Sequence, residues 1–171
     1  GLKVANSFRG TGEFALETPL AIRSSDTLSV TTDGRLPLGK GWERSGMFYF
    51  SEARIAVMND EKVLYGIPLV KFKASNDSTA LIIVTTNARG VSTTEAVETA
   101  EKVDYKWTHK NDTLVLSDNF TLPEDEKWRK QETRVEVRLP EGTTIMIDKN
   151  VYPIMGYHKN VAKRERIGTM Y

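Results

Sequence analysis

At 171 residues, with 39% apolar and 27% charged content, the chain is long enough for one domain with a full core and too short for two of ordinary size. Its 24 basic and 23 acidic side chains leave a net charge of +1, which excludes the strong positive field of a general nucleic-acid binder. The absence of cysteine removes disulfides, zinc thiolates and thiol nucleophiles together, and no apolar run approaches the ~20 residues needed to span a bilayer.

In chain order, residues 2–29 hold short apolar alternations, such as Phe14 with Leu16 and Leu20 with Ile22 around Pro19, which predict short strands joined by turns. Residues 32–46 carry Gly34, Pro37, Gly39, Gly41 and Gly46 with little periodicity and read as a long Gly-rich loop. Those glycines lack the Gly-Lys-Ser/Thr ending and the strand-to-helix frame of a phosphate cradle. Runs rich in Val, Ile, Phe and Tyr at 47–58, 63–74 and 79–86 predict three strands, divided by Asn59-Asp60-Glu61 and Asn76-Asp77-Ser78, which are turn chemistry. Ser92-Thr93-Thr94-Glu95 forms a capping box, and Ala96, Val97, Ala100 and Val103 follow at helical spacing, so one short helix is predicted over 93–102.

Strand patterning returns at 104–108 and 113–117 across an Asn111-Asp112 turn. The clearest unit comes next. Val135, Val137 and Leu139 alternate with Glu136 and Arg138, Pro140-Glu141-Gly142 interrupts, and Ile145 and Ile147 resume, the period-2 signature of two half-buried strands. The basic tail at 157–171 gathers Lys159, Lys163, Arg164 and Arg166 and loses periodicity, as a surface segment does. Many short strands and one helix predict a mainly β domain, with a β-solenoid and a β-sandwich both open on these grounds.

Catalytic chemistry is thinly represented. His109 sits beside a Lys-Asn-Asp turn and His158 in the basic tail; neither has a partner at metal-ligand spacing, and both read as solvated. Glu124, Asp125, Glu126 and Glu141 are available for a carboxylate pair of the glycosidase kind, the only element of that chemistry present, and those near Pro123 follow a Leu-Pro turn and read as solvated. Catalytic, metal and cofactor residues are accordingly expected to be none. The residues singled out for an interaction surface are Trp42 with the consecutive Phe48, Tyr49 and Phe50, one of which must leave the buried face of any strand, and the cationic Lys159, Lys163, Arg164 and Arg166.

Three blocks carry a resemblance: Ala-Val-Glu-Thr-Ala-Glu-Lys-Val-Asp-Tyr-Lys-Trp at 96–107, Asn-Asp-Thr-Leu-Val-Leu-Ser-Asp-Asn-Phe at 111–120, and Lys-Trp-Arg-Lys-Gln-Glu-Thr-Arg-Val-Glu-Val-Arg-Leu-Pro-Glu-Gly-Thr at 127–143. Together they resemble the C-terminal extracytoplasmic region of phage-shock-protein-C-like membrane proteins of Bacteroidetes, itself similar to toastrack and adhesin-head envelope domains. The resemblance implies a right-handed β-solenoid-like stack of short strands with one short helix, forming a single extracytoplasmic β-rich domain over 1–171. It also implies a membrane anchor through helices that this sequence does not contain, and no catalytic residue. The expected function is a non-enzymatic envelope domain, on the periplasmic or cell-surface side, that senses or binds a protein partner in envelope stress response or assembly. A second copy of the chain is another candidate partner, since strand edges and flat faces accept either. A surface adhesin or carbohydrate-binding module stacking sugars on Trp42 and Phe48-Tyr49-Phe50 is the alternative.

Overall fold

A computed structural model describes residues 2–7, 11–34, 54–58, 61–156 and 164–166, with side chains over 11–34 and 63–156. The predicted strands appear as β1 (Leu2–Ser7), β2 (Thr11–Leu20), β3 (Thr27–Thr32), β4 (Arg54–Met58), β5 (Glu61–Gly66), β6 (Leu69–Ala74) and β7 (Ala80–Arg89). Helix α1 (Thr93–Glu101) separates them from β8 (Trp107–Lys110), β9 (Thr113–Leu116), β10 (Phe120–Thr121), β11 (Glu132–Leu139) and β12 (Thr144–Ile147), after which come a 3-10 helix (Lys149–Met155) and β13 (Arg164–Arg166).

The mainly β expectation holds, and the strands form mixed sheets. One five-stranded sheet runs β1-β2-β7-β11-β6, a second runs β13-β12-β3-β9-β8, and a three-stranded sheet runs β10-β5-β4. Neighbours are antiparallel except β11 beside β6 and β3 beside β12 and β9, which are parallel. The alternation seen around Pro140 is the key to this layout. Val135, Val137 and Leu139 on β11, and Ile145 and Ile147 on β12, are all buried, but the two strands belong to different five-stranded sheets, so Pro140-Glu141-Gly142 turns a corner between sheets. Gly142 has φ +94°, a backbone conformation that side chains with a Cβ rarely adopt.

The link between β2 and β3 makes the same passage, and the two corners are tied together. The Thr144 N–H donates to the Asp26 carbonyl at 3.1 Å, and the Thr143 hydroxyl donates to the Arg23 carbonyl at 3.5 Å. One hydrophobic cluster fills the space between the five-stranded sheets, with Val70, Ile82, Val135 and Val137 from one and Leu28, Val30, Leu114, Leu116 and Ile145 from the other. Each such side chain contributes roughly 1.5–3 kcal/mol through burial.

Several boundaries differ from the sequence reading. The single strand expected over 63–74 is two strands in different sheets, because Pro68 has no N–H to continue a ladder and Ile67, 1% exposed, drops into the core. The strand expected over 79–86 runs on to Arg89 along β2 and β11. Asp104 makes one isolated bridge with Thr121, and the strand expected from it starts at Trp107. Residues 47–53 of another expected strand lie outside the described residues, as do 35–46 of the Gly-rich loop, whereas Thr32 closes β3.

A second helical element accompanies the one expected. The 3-10 helix Lys149–Met155 buries Val151, Tyr152 and Ile154 and ends at Gly156, φ +77°. Its Val-Tyr-Pro-Ile run is too short for a helical period to show. In α1 the expected cap is present. Ser92 Oγ accepts from the Glu95 N–H at 3.2 Å, while the Glu95 carboxylate accepts from the Val91 N–H at 3.2 Å, one residue before the usual reciprocal donor.

Between α1 and β8, Tyr105 donates its hydroxyl to the Ser117 carbonyl at 2.9 Å. Burial, reinforced by the charges of Asp33 and Asp118, pushes its phenol well above the ordinary value of 10.0. The folded protein then keeps that proton where the unfolded chain has lost it, so stability is complete below pH 10.0 and declines as pH rises beyond it. Tyr105→Phe is expected to flatten the alkaline fall of the melting temperature; an unchanged slope would show that the hydroxyl is not shielded.

Candidate interaction surface

Strand alternation divides the first sheet into a buried and an outer face. On β6, Val70 is buried and Lys71 and Lys73 are exposed; on β11, Thr133, Val135, Val137 and Leu139 are buried while Arg134, Glu136 and Arg138 turn outward. The strands are parallel and register Arg134 beside Leu69, Glu136 beside Lys71 and Arg138 beside Lys73. The outer face therefore gathers four cations from two adjacent strands. They line a shallow hollow of about 330 Å³, with Glu13 from β2 on its margin and Leu69, Ile83 and Thr85 also along it.

The charges are partly matched within the sheet. Glu136 accepts from Lys73 Nζ at 3.0 Å and from Arg138 Nε. Partial burial works against ionisation of Glu136, but the hydrogen bonds from Lys73 and Arg138 and their charges outweigh it and hold the carboxyl below the usual carboxylate range. Arg134 reaches Glu132 only at 3.9 Å. Lys71, although level with Glu136, has no carboxylate partner among the described residues. Lys73 and Arg138 face each other across the ladder, an arrangement of like charges that costs stability unless an anion lies between them.

A second hollow, of about 120 Å³, lies where α1 and the segment after it meet the inner side of the first sheet; Phe14, Leu16, Ala100, Val103, Tyr105 and Trp107 line part of it. Leu16 is 42% exposed there, so apolar surface reaches solvent. A third, at the sheet corner, takes in Asp77 and Glu141. The Asp77 carboxyl is held below its usual range by the side-chain hydroxyl and backbone N–H of Thr79 and by the hydroxyl of Ser75, an Asx-type turn closed on itself.

Of the interaction residues named from sequence, Trp42, Phe48, Tyr49, Phe50, Lys159 and Lys163 lie outside the described residues. Arg164 and Arg166 fall on β13, registered with Met146 and Thr144 of β12, so this part of the basic tail is paired backbone. The expectation of a solvated His109 is corrected: it lies on β8 beside Leu114, with Nε2 enclosed and without a hydrogen-bond partner among the described residues. Glu126, one of the turn carboxylates, pairs with Lys102 at 2.8 Å, and no group of three or more potential metal ligands occurs among the described residues. The cationic face of β6 and β11 was missed. Its one signal is the alternation Lys71-Phe72-Lys73 and Arg134-Val135-Glu136-Val137-Arg138, which names each strand's outer residues but not that the strands are neighbours.

A family model described as ToastRack found in some PspC matches residues 58–170, a span that takes in every strand from β5 to β13. No curated protein and no solved structure matches the chain significantly.

Proposed function

This chain belongs to the ToastRack family found in some PspC, and from that membership we propose that it is a non-enzymatic envelope domain that binds a protein partner. Phage-shock-type envelope stress response or envelope assembly is the setting in which it acts. The domain faces the extracytoplasmic space and is held to the membrane by helices outside this sequence; among the described residues no helix is long and apolar enough to cross a bilayer. Residues 1–171 act as one unit. A solenoid-like stacking of short strands belongs to the same reading and is supported by the parallel run β12-β3-β9 and by the matched passages from β2 to β3 and from β11 to β12.

The observation that carries the proposal is the family match over residues 58–170. The outer face of the first sheet adds a physical means, because a broad face with uncompensated charge is suited to recognising a complementary surface. Immobilised protein, exposed to detergent-solubilised envelopes of its own organism, is expected to retain one protein in near-stoichiometric amount, identified by mass spectrometry. Retention of glycan with no protein would overturn the proposal.

A further inference from the structure

We infer that the outer face of β6 and β11 docks an extended acidic peptide segment of a partner protein, an inference that rests on the binding role proposed above. Side chains two apart on one strand face stand roughly 6.6 Å apart, neighbouring strands about 4.8 Å apart. Lys71 and Lys73 therefore span one such repeat on β6, and Arg134 and Arg138 span two on β11, with Glu136 between them. A patch about 13 Å long is too long for a single small anion. It matches the repeat of an extended peptide that carries carboxylates at alternate positions.

Charge points the same way. Among the described residues around the hollow, Lys71, Lys73, Arg134 and Arg138 stand against the carboxylates of Glu13 and Glu136 and of Glu132 beside Arg134, which leaves one positive charge in excess. Glu136 is already engaged by Lys73 and Arg138, so it offers little to Lys71. Leu69 and Ile83 along the hollow supply apolar contact for the methylene stems of the incoming acids. An incoming carboxylate beside Lys73 and Arg138 also relieves their mutual repulsion, which Glu136 alone shares between them.

The test uses the whole chain and a fluorescein-labelled octapeptide alternating glutamate and threonine, read by fluorescence anisotropy at low salt. A peptide of the same composition with its glutamates in one block, and phosphatidylglycerol vesicles, serve as comparisons. The alternating peptide is expected to bind more tightly than the block peptide, and Lys71→Glu/Arg134→Glu to weaken it by about tenfold. Glu136→Gln removes the central negative charge and is expected to tighten binding by about threefold, a gain that misfolding does not produce.

Equal affinity for the charge-reversed variant would overturn the inference, as would binding to the vesicles without binding to the alternating peptide. If Lys71→Glu/Arg134→Glu still captures a stoichiometric envelope protein, the binding role stands and this surface falls. If the peptide behaves as expected and no envelope protein is captured, the surface stands and the proposed partner role falls.

Discussion

Phe120→Ala is expected to lower stability by about 3–5 kcal/mol, or roughly 10 °C in melting temperature for a chain of this size. Phe120 is wholly buried, and its ring lies against the backbone of Gly66, its registered neighbour on β5. A Cβ on Gly66 would fall 2.6 Å from Cε1 and 2.8 Å from Cε2 of the ring and closer still to Cζ, inside the distance any real contact permits. Gly66→Ala should therefore cost about 1–3 kcal/mol through overpacking.

The two effects oppose each other physically, since removing the ring makes room for the methyl. In Gly66→Ala/Phe120→Ala the loss is expected to be smaller than the sum of the single losses by about 1–2 kcal/mol. Denaturant titration of the four proteins measures this coupling. Additive losses would mean that the ring and the glycine do not share one space, and that the three-stranded sheet is held by something else.

Gly12→Ala is expected to cost about 1–3 kcal/mol and to act mainly on α1. The helix lies across β2 so closely that a Cβ on Gly12 would come within 2.5 Å of the Ala96 carbonyl carbon and 2.7 Å of its Cβ. A Cβ on Gly90 would likewise meet the Ala96 N at 2.7 Å, so Ala96, fully buried, packs against two glycines. Because most of what the new methyl would strike is helix backbone, the whole helix has to move. Gly12→Ala/Ala96→Gly should consequently fail to recover the loss, and it adds the ~1 kcal/mol cost of glycine within a helix. Hydrogen exchange over residues 93–101 is expected to speed up in Gly12→Ala while β9 and β11 keep their protection. Uniform loss of protection would show that α1 and the sheets unfold together.

Much of the secondary structure was legible because it is written in local periods. The alternation at 135–147 marked β11 and β12 with the correct buried residues, and Ser92 with Glu95 placed the start of α1 to the residue. The run 63–74 was misread because apolar alternation continues across Gly66-Ile67-Pro68, and only the assignment of β5 and β6 to separate sheets divides it. The Lys149–Met155 helix left no period to detect. Recognition of the blocks at 96–143 reached the family, and the family match extends that recognition back to Met58.

The candidate site was less accessible to sequence. Lys71 and Lys73 could be read as the wet face of one strand, and Arg134, Glu136 and Arg138 as that of another. Nothing local says that strands some 60 residues apart lie side by side, in parallel, with Arg138 level with Lys73. Sequence determined the class, the helix cap and which side chains of β11 and β12 are buried, since these depend on neighbours within a few residues. Tertiary structure alone decided that the Pro140 turn joins two sheets, that two glycines admit α1 and the Phe120 ring, and that four cations share one face, because each depends on register and close approach between distant segments.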